Sequence, residues 1–215
     1  MDYRSLPRIS NSDLTEFKNR IFGYRPYQPA SALAFGSALH ELILEPNTNV
    51  NMPESVDRNL LNKVAEQVQA DAYCRWALQF SRKESVQLWK DPATGLLLKS
   101  KLDLVHRNRL VIDFKSTSQR THADFLKSLH TYDYDRQAAF YLDSVNAHRF
   151  VFIGVQKIKP YNIWIVEPPA CFVETGRKKY RALLREWKRR QEAGQPFTPS
   201  SWNREPVLNP AVLCS

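Results

Sequence analysis

Residues 97–117, LLKSKLDLVHRNRLVIDFKST, contain two apolar segments separated by the short polar turn HRNR. Successive side chains of a β-strand point to opposite faces, so the residues of each segment divide into two alternating sets. In the second segment Leu110, Ile112 and Phe114 fall in one set and can pack in a core, whereas Asp113 and Lys115 lie together in the other set. Two opposite charges on one face of an otherwise apolar strand indicate a chemical role.

Further strands and helices are predicted on both sides of this pair. ESVQLWKD precedes it and is joined to LLLKSKLDLV by a turn that carries Pro and Gly, which is typical of a β-hairpin. FVFIGVQKI and NIWIVEP predict two more strands. Helical patterns begin at SNSDLTEF and continue at residues 31–45, 57–82, 122–146 and 172–193. We therefore expect an α/β fold with a central mixed β-sheet flanked by helices.

The composition predicts one domain and a polyanionic partner. We expect a single domain over residues 1–195, followed by a Pro-rich tail over residues 196–215. The chain holds 31 Lys and Arg against 22 Asp and Glu, a net charge of +9, which favours binding to nucleic acid. It has no apolar run long enough for a membrane helix and no apolar signal core at the N-terminus. The scattered Cys74, Cys171 and Cys214 match no disulfide framework, so a cytoplasmic location is expected.

The Asp-x-Lys pattern of Asp113 and Lys115 suits phosphodiester hydrolysis. An Asp can hold a divalent cation, and a Lys one residue beyond can orient the attacking water and offset developing negative charge. Taken alone the pattern is weak, because a tripeptide of Asp or Glu, any residue and Lys arises by chance in a chain of this length. Residues 16–18, Glu-Phe-Lys, are a second example on a predicted helix. A surface ion pair remains the alternative interpretation.

Asp103 on the preceding strand strengthens the catalytic interpretation. Antiparallel pairing through the HRNR turn would bring Asp103 beside Asp113. Two neighbouring carboxylates repel each other, and a bound cation relieves that repulsion. In the alternative, Asp103 pairs with Lys101 or Lys115 as a surface charge. Alternation places Lys101 and Asp103 on one face and Leu102 and Leu104 on the other.

Two helices carry further candidates. His40 follows Gly36 by one turn, in a helix whose small residues allow close approach of a ligand, although a core histidine is the alternative. Gln137 and Tyr141 lie four residues apart on the next predicted helix and project together. An amide and a phenol can orient a water and a phosphate oxygen. Their alternative role is packing against the sheet.

Taken together and in order, these motifs resemble a known family. The chain resembles the RecB-like branch of the PD-(D/E)XK nucleases, and within it the RecE-type exonucleases (exonuclease VIII). The resemblance spans most of residues 5–190 and implies a restriction-endonuclease-like fold over the expected domain. It is carried by LPRISNSDLTEF, FGSALHELILEP, TGLLLKSKLDLV, LVIDFKST and DRQAAFYL.

The resemblance implies a metal site. His40, Asp103 and Asp113 would bind Mg²⁺ or Mn²⁺, with the carbonyl of Phe114 as a further ligand. Lys115 would be the catalytic lysine.

The resemblance also implies roles for residues around that site. Gln137 and Tyr141 would form a Q-x-x-x-Y motif, and both would belong to the catalytic residues together with Asp103, Asp113 and Lys115. Lys101 departs from the pattern, because many relatives carry Arg there, and a lysine lacks the bidentate fork of a guanidinium.

The implied activity is that of a metal-dependent DNA exonuclease. RecE-type enzymes degrade duplex ends from 5′ to 3′ in recombination or repair, work beside a single-strand annealing protein and form homo-oligomers. Two alternatives stay open: an endonuclease or junction resolvase on the same fold, and a non-catalytic DNA-binding module.

The last predicted helix carries eight Lys or Arg residues between Arg177 and Arg190, with only Glu186 opposing them. An apolar stripe formed by Tyr180, Leu183, Leu184 and Trp187 is expected to pack on the sheet. The basic face is either solvated or tracks DNA phosphates.

Overall fold

Five strands and seven α-helices build the part of the chain that the structure, a computed structural model, describes: residues 3–24, 29–45 and 53–203. A 3₁₀ turn, Ser200–Asn203, follows the last helix. The helices are α1 Asn11–Ile21, α2 Ala30–Leu44, α3 Arg58–Ala70, α4 Ala72–Phe80, α5 His122–Thr131, α6 Tyr134–Val145 and α7 Ala170–Glu192. The strands are β1 Arg82–Lys90, β2 Leu97–His106, β3 Leu110–Thr117, β4 Arg149–Gln156 and β5 Ile163–Val166.

The strands form one mixed sheet in the order β1-β2-β3-β4-β5. Strands β3 and β4 are parallel, and the other neighbours are antiparallel. The parallel pair needs a long crossover, which α5 and α6 supply. One face of the sheet packs against α2, α3 and α4, and the other packs against α5, α6 and α7. The predicted α/β fold with a central mixed sheet flanked by helices is confirmed.

Strand β2 is irregular at Asp103. Its ladder with β3 ends at the pair Leu104–Ile112, and its ladder with β1 omits the position of Asp103, where Glu84 has a positive φ of 50°. Leu102 therefore packs in one core layer and Leu104 in the other. The expectation that these two leucines share a face is wrong, because the kink at Asp103 interrupts the alternation.

Two of the predicted helices are each divided in two. The helix expected over 57–82 breaks at Asp71, whose backbone is extended and whose carboxylate caps α4 by accepting from the Cys74 N–H at 2.9 Å. The helix expected over 122–146 breaks before α6 at Asp133, which adopts the left-handed conformation with φ 53°. Lys18 and Lys179 hold the Asp133 carboxylate at 2.5 and 2.9 Å.

Both ends of the described chain pack onto the helical layer. Ser10 and Asp13 form the capping box that starts α1. Phe197 contacts the rings of Phe17 and Trp187, so the first part of the predicted tail lies against the domain. The division into a domain over 1–195 and a tail over 196–215 stays a prediction. Residues 46–52 and residues 204–215, which include Cys214, lie outside the described residues.

Within the described ranges, no helix combines the length and the apolar character that a membrane crossing requires.

Helices α6 and α7 cross at Gly176, in the middle of α7. A Cβ on this glycine would lie 1.8 Å from the carbonyl oxygen of Asp135, which is far inside contact distance. Glycine inside a helix costs roughly 1 kcal/mol relative to alanine, so the close approach explains its presence. The crossing holds the first turn of α6 in place.

Substitution Gly176→Ala is expected to lower the free energy of unfolding by about 1–3 kcal/mol, because the added methyl group forces the two helix backbones apart. Urea unfolding followed by circular dichroism measures the effect. Lys178→Ala, at an exposed position of the same helix, is the control and should change stability by no more than about 0.5 kcal/mol. Equal stability of Gly176→Ala and the wild type would contradict the proposed close contact.

Candidate active site

Strand β3 brings Asp113 and Lys115 together, as the alternation predicted. The Nζ atom of Lys115 lies 2.6 Å from Oδ2 of Asp113, and the lysine also lies over the ring of Tyr134, 4.5 Å from its centroid. Burial by itself would lower the pKa of Lys115. The charge of Asp113 and the hydrogen bond to it, together with smaller contributions from Tyr134 and Asp103, offset this effect and raise the pKa above its ordinary value, so the lysine is a cation.

Asp103 meets β3 at the end of the β2–β3 ladder. Its Oδ2 atom accepts a hydrogen bond of 2.8 Å from the backbone N–H of Phe114, in place of the next ladder bond. One further step of the same register would put Asp103 directly opposite Asp113. Burial raises the pKa of Asp113 to about 6, and the charge of Asp103 adds to that effect while Lys115 opposes it. The site therefore holds two buried carboxylates, and Lys115 offsets only part of the cost of ionising Asp113.

Helix α2 places the side chain of His40 beside Asp103 and β3. Its Nε2–H donates to the carbonyl of Phe114 at 2.9 Å, and its Nδ1 lies 3.4 Å from Oδ2 of Asp103. Burial would lower the pKa of His40, but the charge of Asp103 and the hydrogen bond to it raise it overall. One turn earlier, Gly36 packs against β3, where a Cβ would lie 3.4 Å from the hydroxyl of Ser116, an ordinary van der Waals distance.

Helix α6 supplies the two remaining predicted residues. The Nε2 atom of Gln137 donates to Oδ1 of Asp113 at 3.2 Å. Burial raises the pKa of the Tyr141 phenol far above its usual range, the charge of Asp113 adds to the shift, and a hydrogen bond with Gln137 opposes it. Gln137 therefore supports Asp113 from α6, with Tyr141 next to Gln137. All the predicted site residues meet around the middle of β3.

An open cavity of about 760 Å³ gives access to these groups. His40, Asp103 and Lys115 line it, together with the Phe114 backbone, whereas Asp113 is only 2% exposed and lies deeper. Lys101 also lines the cavity, where it forms an ion pair with Glu84. This pairing leaves Lys101 at the rim of the site.

The donor set fits a hard divalent cation. It consists of two carboxylates, a peptide carbonyl and an imidazole, which are ligands that Mg²⁺ and Mn²⁺ accept. Oδ2 of Asp113 is buried and lacks a hydrogen-bond partner of good geometry, although it forms the ion pair with Lys115. No three His, Cys, Asp or Glu side chains in the described part of the chain converge as a ready-made metal cluster. His40 is hydrogen-bonded to Phe114 and Asp113 is paired with Lys115, so a cation would take over contacts that these groups make with each other.

Sequence reasoning missed Tyr134 and Glu84. Tyr134 covers the ammonium of Lys115, and the available signal was its position three residues before Gln137 on one helix face. Glu84 pairs with Lys101 because its left-handed backbone turns it toward the cavity, and no sequence signal marks a positive φ at a glutamate.

The basic helix α7 is largely neutralised by ion pairs. Its stripe of Tyr180, Leu183, Leu184 and Trp187 is buried in a cluster with residues of α1 and α6 and with Leu98 of β2, so it packs on these two helices as well as on the predicted sheet. Most of its cations contact acids: Arg177 and Arg181 contact Asp143, Lys179 contacts Asp133 and Asp135, Lys188 contacts Glu192, and Arg189 and Arg190 contact Glu186. A role of this helix in binding DNA stays a prediction.

Comparison with solved structures places the fold. A provisionally assigned exonuclease from Eubacterium rectale superposes with a TM-score of 0.67 at 15% identity, over 99% of this chain and 94% of that chain. A phage related exonuclease from Haemophilus somnus 129PT gives 0.47 at 12% identity, over 85% and 82%. An alkaline exonuclease from Laribacter hongkongensis gives 0.43 at 14% identity, over 88% and 95%.

Comparison with sequence families agrees. No match to the chain was found among the curated proteins. Residues 15–198 match the model of a PDDEXK-like domain of unknown function (DUF3799), which confirms the superfamily that the motifs resemble. The chain belongs to this family of PDDEXK-like domains and has its nuclease fold.

Proposed function

We propose that the protein is a Mg²⁺- or Mn²⁺-dependent deoxyribonuclease, an exonuclease that hydrolyses phosphodiester bonds at duplex DNA ends. The observation that carries the proposal is the meeting of Asp103, Asp113, Lys115 and His40 at one point of the sheet, beside an open cavity. A surface ion pair would not account for a buried lysine between an acid and an aromatic ring, or for a second acid at the same point. The match to a PDDEXK-like domain supports the proposal that this set belongs to a nuclease.

The cation would be held by His40, Asp103, Asp113 and the carbonyl of Phe114. When bound, it supplies Lewis acidity that polarises the scissile phosphate and makes an attacking water more acidic. Gln137 holds Oδ1 of Asp113, so Oδ2, which pairs with Lys115, is the atom of this carboxylate that would turn to the cation. Tyr141 shares a hydrogen bond with Gln137 and would help to hold its amide in place.

Lys115 acts on the reacting groups. Its ammonium is held between Asp113 and the ring of Tyr134, and it lines the cavity in which the phosphodiester would lie. From there it can orient the attacking water and stabilise the negative charge that develops on the phosphate oxygens. Because its raised pKa keeps it protonated, Lys115 serves as an electrostatic and positioning group.

The finer features of the activity rest on the RecE-type resemblance. We include in the proposal a 5′ to 3′ polarity, a role in recombination or repair, a single-strand annealing protein as partner and a homo-oligomeric assembly. The net charge of +9 supports DNA as the substrate.

Digestion of matched DNA substrates tests the function. With Mg²⁺, the protein is expected to degrade a linear duplex to nucleotides, to spare the same DNA as a covalently closed circle, and to stop when EDTA is added. Phosphorothioate linkages at the 5′ ends of the linear duplex are expected to block digestion, whereas the same linkages at the 3′ ends are not.

Each other outcome assigns a different function. Cutting of the closed circle would identify an endonuclease or a junction resolvase. Binding of the linear duplex without hydrolysis, in Mg²⁺ and in Mn²⁺, would identify a non-catalytic DNA-binding module and overturn the proposal.

A further inference from the structure

A second cavity of about 550 Å³ lies between the end of α1, the start of α6 and the middle of α7. Much of its wall is apolar and consists of Ile21, Phe22, Ala182 and Leu183, and Phe22 is 73% exposed. The volume is in the range of small-molecule sites, about 300–1,000 Å³. In the part of the chain that the structure describes, this cavity shares no lining residue with the active-site cavity.

Arg136 forms a charged part of the cavity lining and has unused donors. The residue is only 2% exposed, and its Nη2 atom donates to the hydroxyl of Thr15. Its Nε and Nη1 atoms are buried and have no hydrogen-bond partner among the described residues. A guanidinium remains charged when buried, and its unpaired donors are costly without an acceptor. The arginine is therefore suited to an anion that the protein itself does not provide.

The surrounding charges leave a positive surplus. Four cations line the cavity (Lys18, Arg136, Lys179 and Arg190) against two carboxylates, those of Asp133 and Glu186. Lys18 and Lys179 share Asp133, and Arg190 pairs with Glu186. Lys179 also contacts Asp135, which does not line the cavity. Arg136 has no such ion pair, so an incoming anion would meet it without displacing a carboxylate.

We propose that this cavity binds a small amphipathic anion, whose apolar body lies against Ile21, Phe22 and Leu183 and whose single acidic group accepts hydrogen bonds from Arg136. Carboxylates and phosphate monoesters with an aromatic or branched apolar group share this chemistry. Inorganic phosphate or a bare carboxylate would leave the apolar wall uncovered and would bind more weakly.

The first turn of α6 links this cavity to the active site. Asp133 and Arg136 line the cavity. Tyr134 and Gln137, which follow them in the sequence, contact Lys115 and Asp113, respectively. The backbone N–H groups of Arg136 and Gln137 both donate to the carbonyl of Asp133, at 3.1 and 3.3 Å. A ligand on Arg136 would therefore hold this turn closed and slow hydrogen exchange there.

The proposal is tested by calorimetric titration of the full chain with 1-anilinonaphthalene-8-sulfonate, a compound that carries two aromatic groups and one sulfonate. We expect one site per chain. N-phenyl-1-naphthylamine, which has the same rings without the charge, should bind roughly 10–100-fold more weakly, because hydrogen bonds to a charged group are lost. Competition with 1-naphthylacetate and with 1-naphthyl phosphate distinguishes a carboxylate from a phosphate as the preferred acidic group.

Matched variants locate the site even if replacement of Arg136 prevents folding. Ala182→Trp fills the cavity from α7 and should weaken binding of the sulfonate at least tenfold, whereas Ala123→Trp, at an exposed position of α5, should not. Hydrogen exchange should slow in residues 133–137 when the probe is bound. Equal binding of the charged and neutral probes, an unaffected Ala182→Trp variant, or unchanged exchange in this turn would each overturn the proposal.

Discussion

Lys115→Ala is expected to lower kcat for digestion of linear duplex DNA by roughly 10²–10⁴-fold, with little change in KM. The ammonium of Lys115 lies 2.6 Å from Asp113 and lines the cavity, so it is placed to act on charge that forms only during the reaction. An interaction made in the transition state alone appears in kcat. The variant is expected to keep its fold and much of its affinity for the metal, because Asp113 and Asp103 remain.

Steady-state release of nucleotides measures both constants. Lys115→Arg retains the positive charge but not the compact ammonium, and we expect intermediate activity. Lys127→Ala, whose side chain is 78% exposed on α5, is the matched control and should cleave at the wild-type rate. Cleavage by Lys115→Ala near the wild-type rate would make the pair with Asp113 a structural ion pair and remove the centre of the proposed mechanism.

The position of the candidate site is predictable because it follows from strand alternation. Asp113 and Lys115 share a face through a local rule, and the short HRNR turn sets the register that leads Asp103 toward Asp113. His40 is harder to place, because its approach depends on how α2 packs on the sheet. The motif resemblance, with its fixed order of segments, supplied that long-range information.

The breaks in the helices were not predictable in the same way. Asp71 and Asp133 lie within apolar patterns that continue at helical spacing, so periodicity alone predicts uninterrupted helices. Asp71 ends α3 because its carboxylate caps α4. In the sequence alone, a capping Asp within a long helical pattern cannot be distinguished from an Asp that is exposed to solvent. Asp133 depends on Lys18 and Lys179, which are distant in sequence.

The break at Asp133 has a consequence for the site. Because α6 starts afresh there, its first turn can present Tyr134 and Gln137 to β3 while Gly176 fixes the same turn against α7. A continuous helix over 122–146 would have no such restart at this point. The position of Tyr134, one of the two site residues that the sequence did not predict, therefore depends on the same tertiary contacts that divide the helix.

Asp113→Ala is expected to weaken Mn²⁺ binding by about 100-fold or more, a larger loss than that caused by removing a supporting residue around a metal. Burial and the charge of Asp103 raise the pKa of Asp113 to about 6, so a cation gains by stabilising the ionised pair, and removal of one acid takes that gain away. Isothermal titration with Mn²⁺ measures the change, and Asp124→Ala, which removes an exposed carboxylate on α5, is the control.

Since Asp113→Ala leaves Lys115 without its acid, Asp113→Asn is the second variant, and circular dichroism verifies the fold of both. If both variants bind Mn²⁺ as tightly as the wild type, the ligand set of His40, Asp103, Asp113 and the Phe114 carbonyl is wrong, whatever the DNA digestion shows.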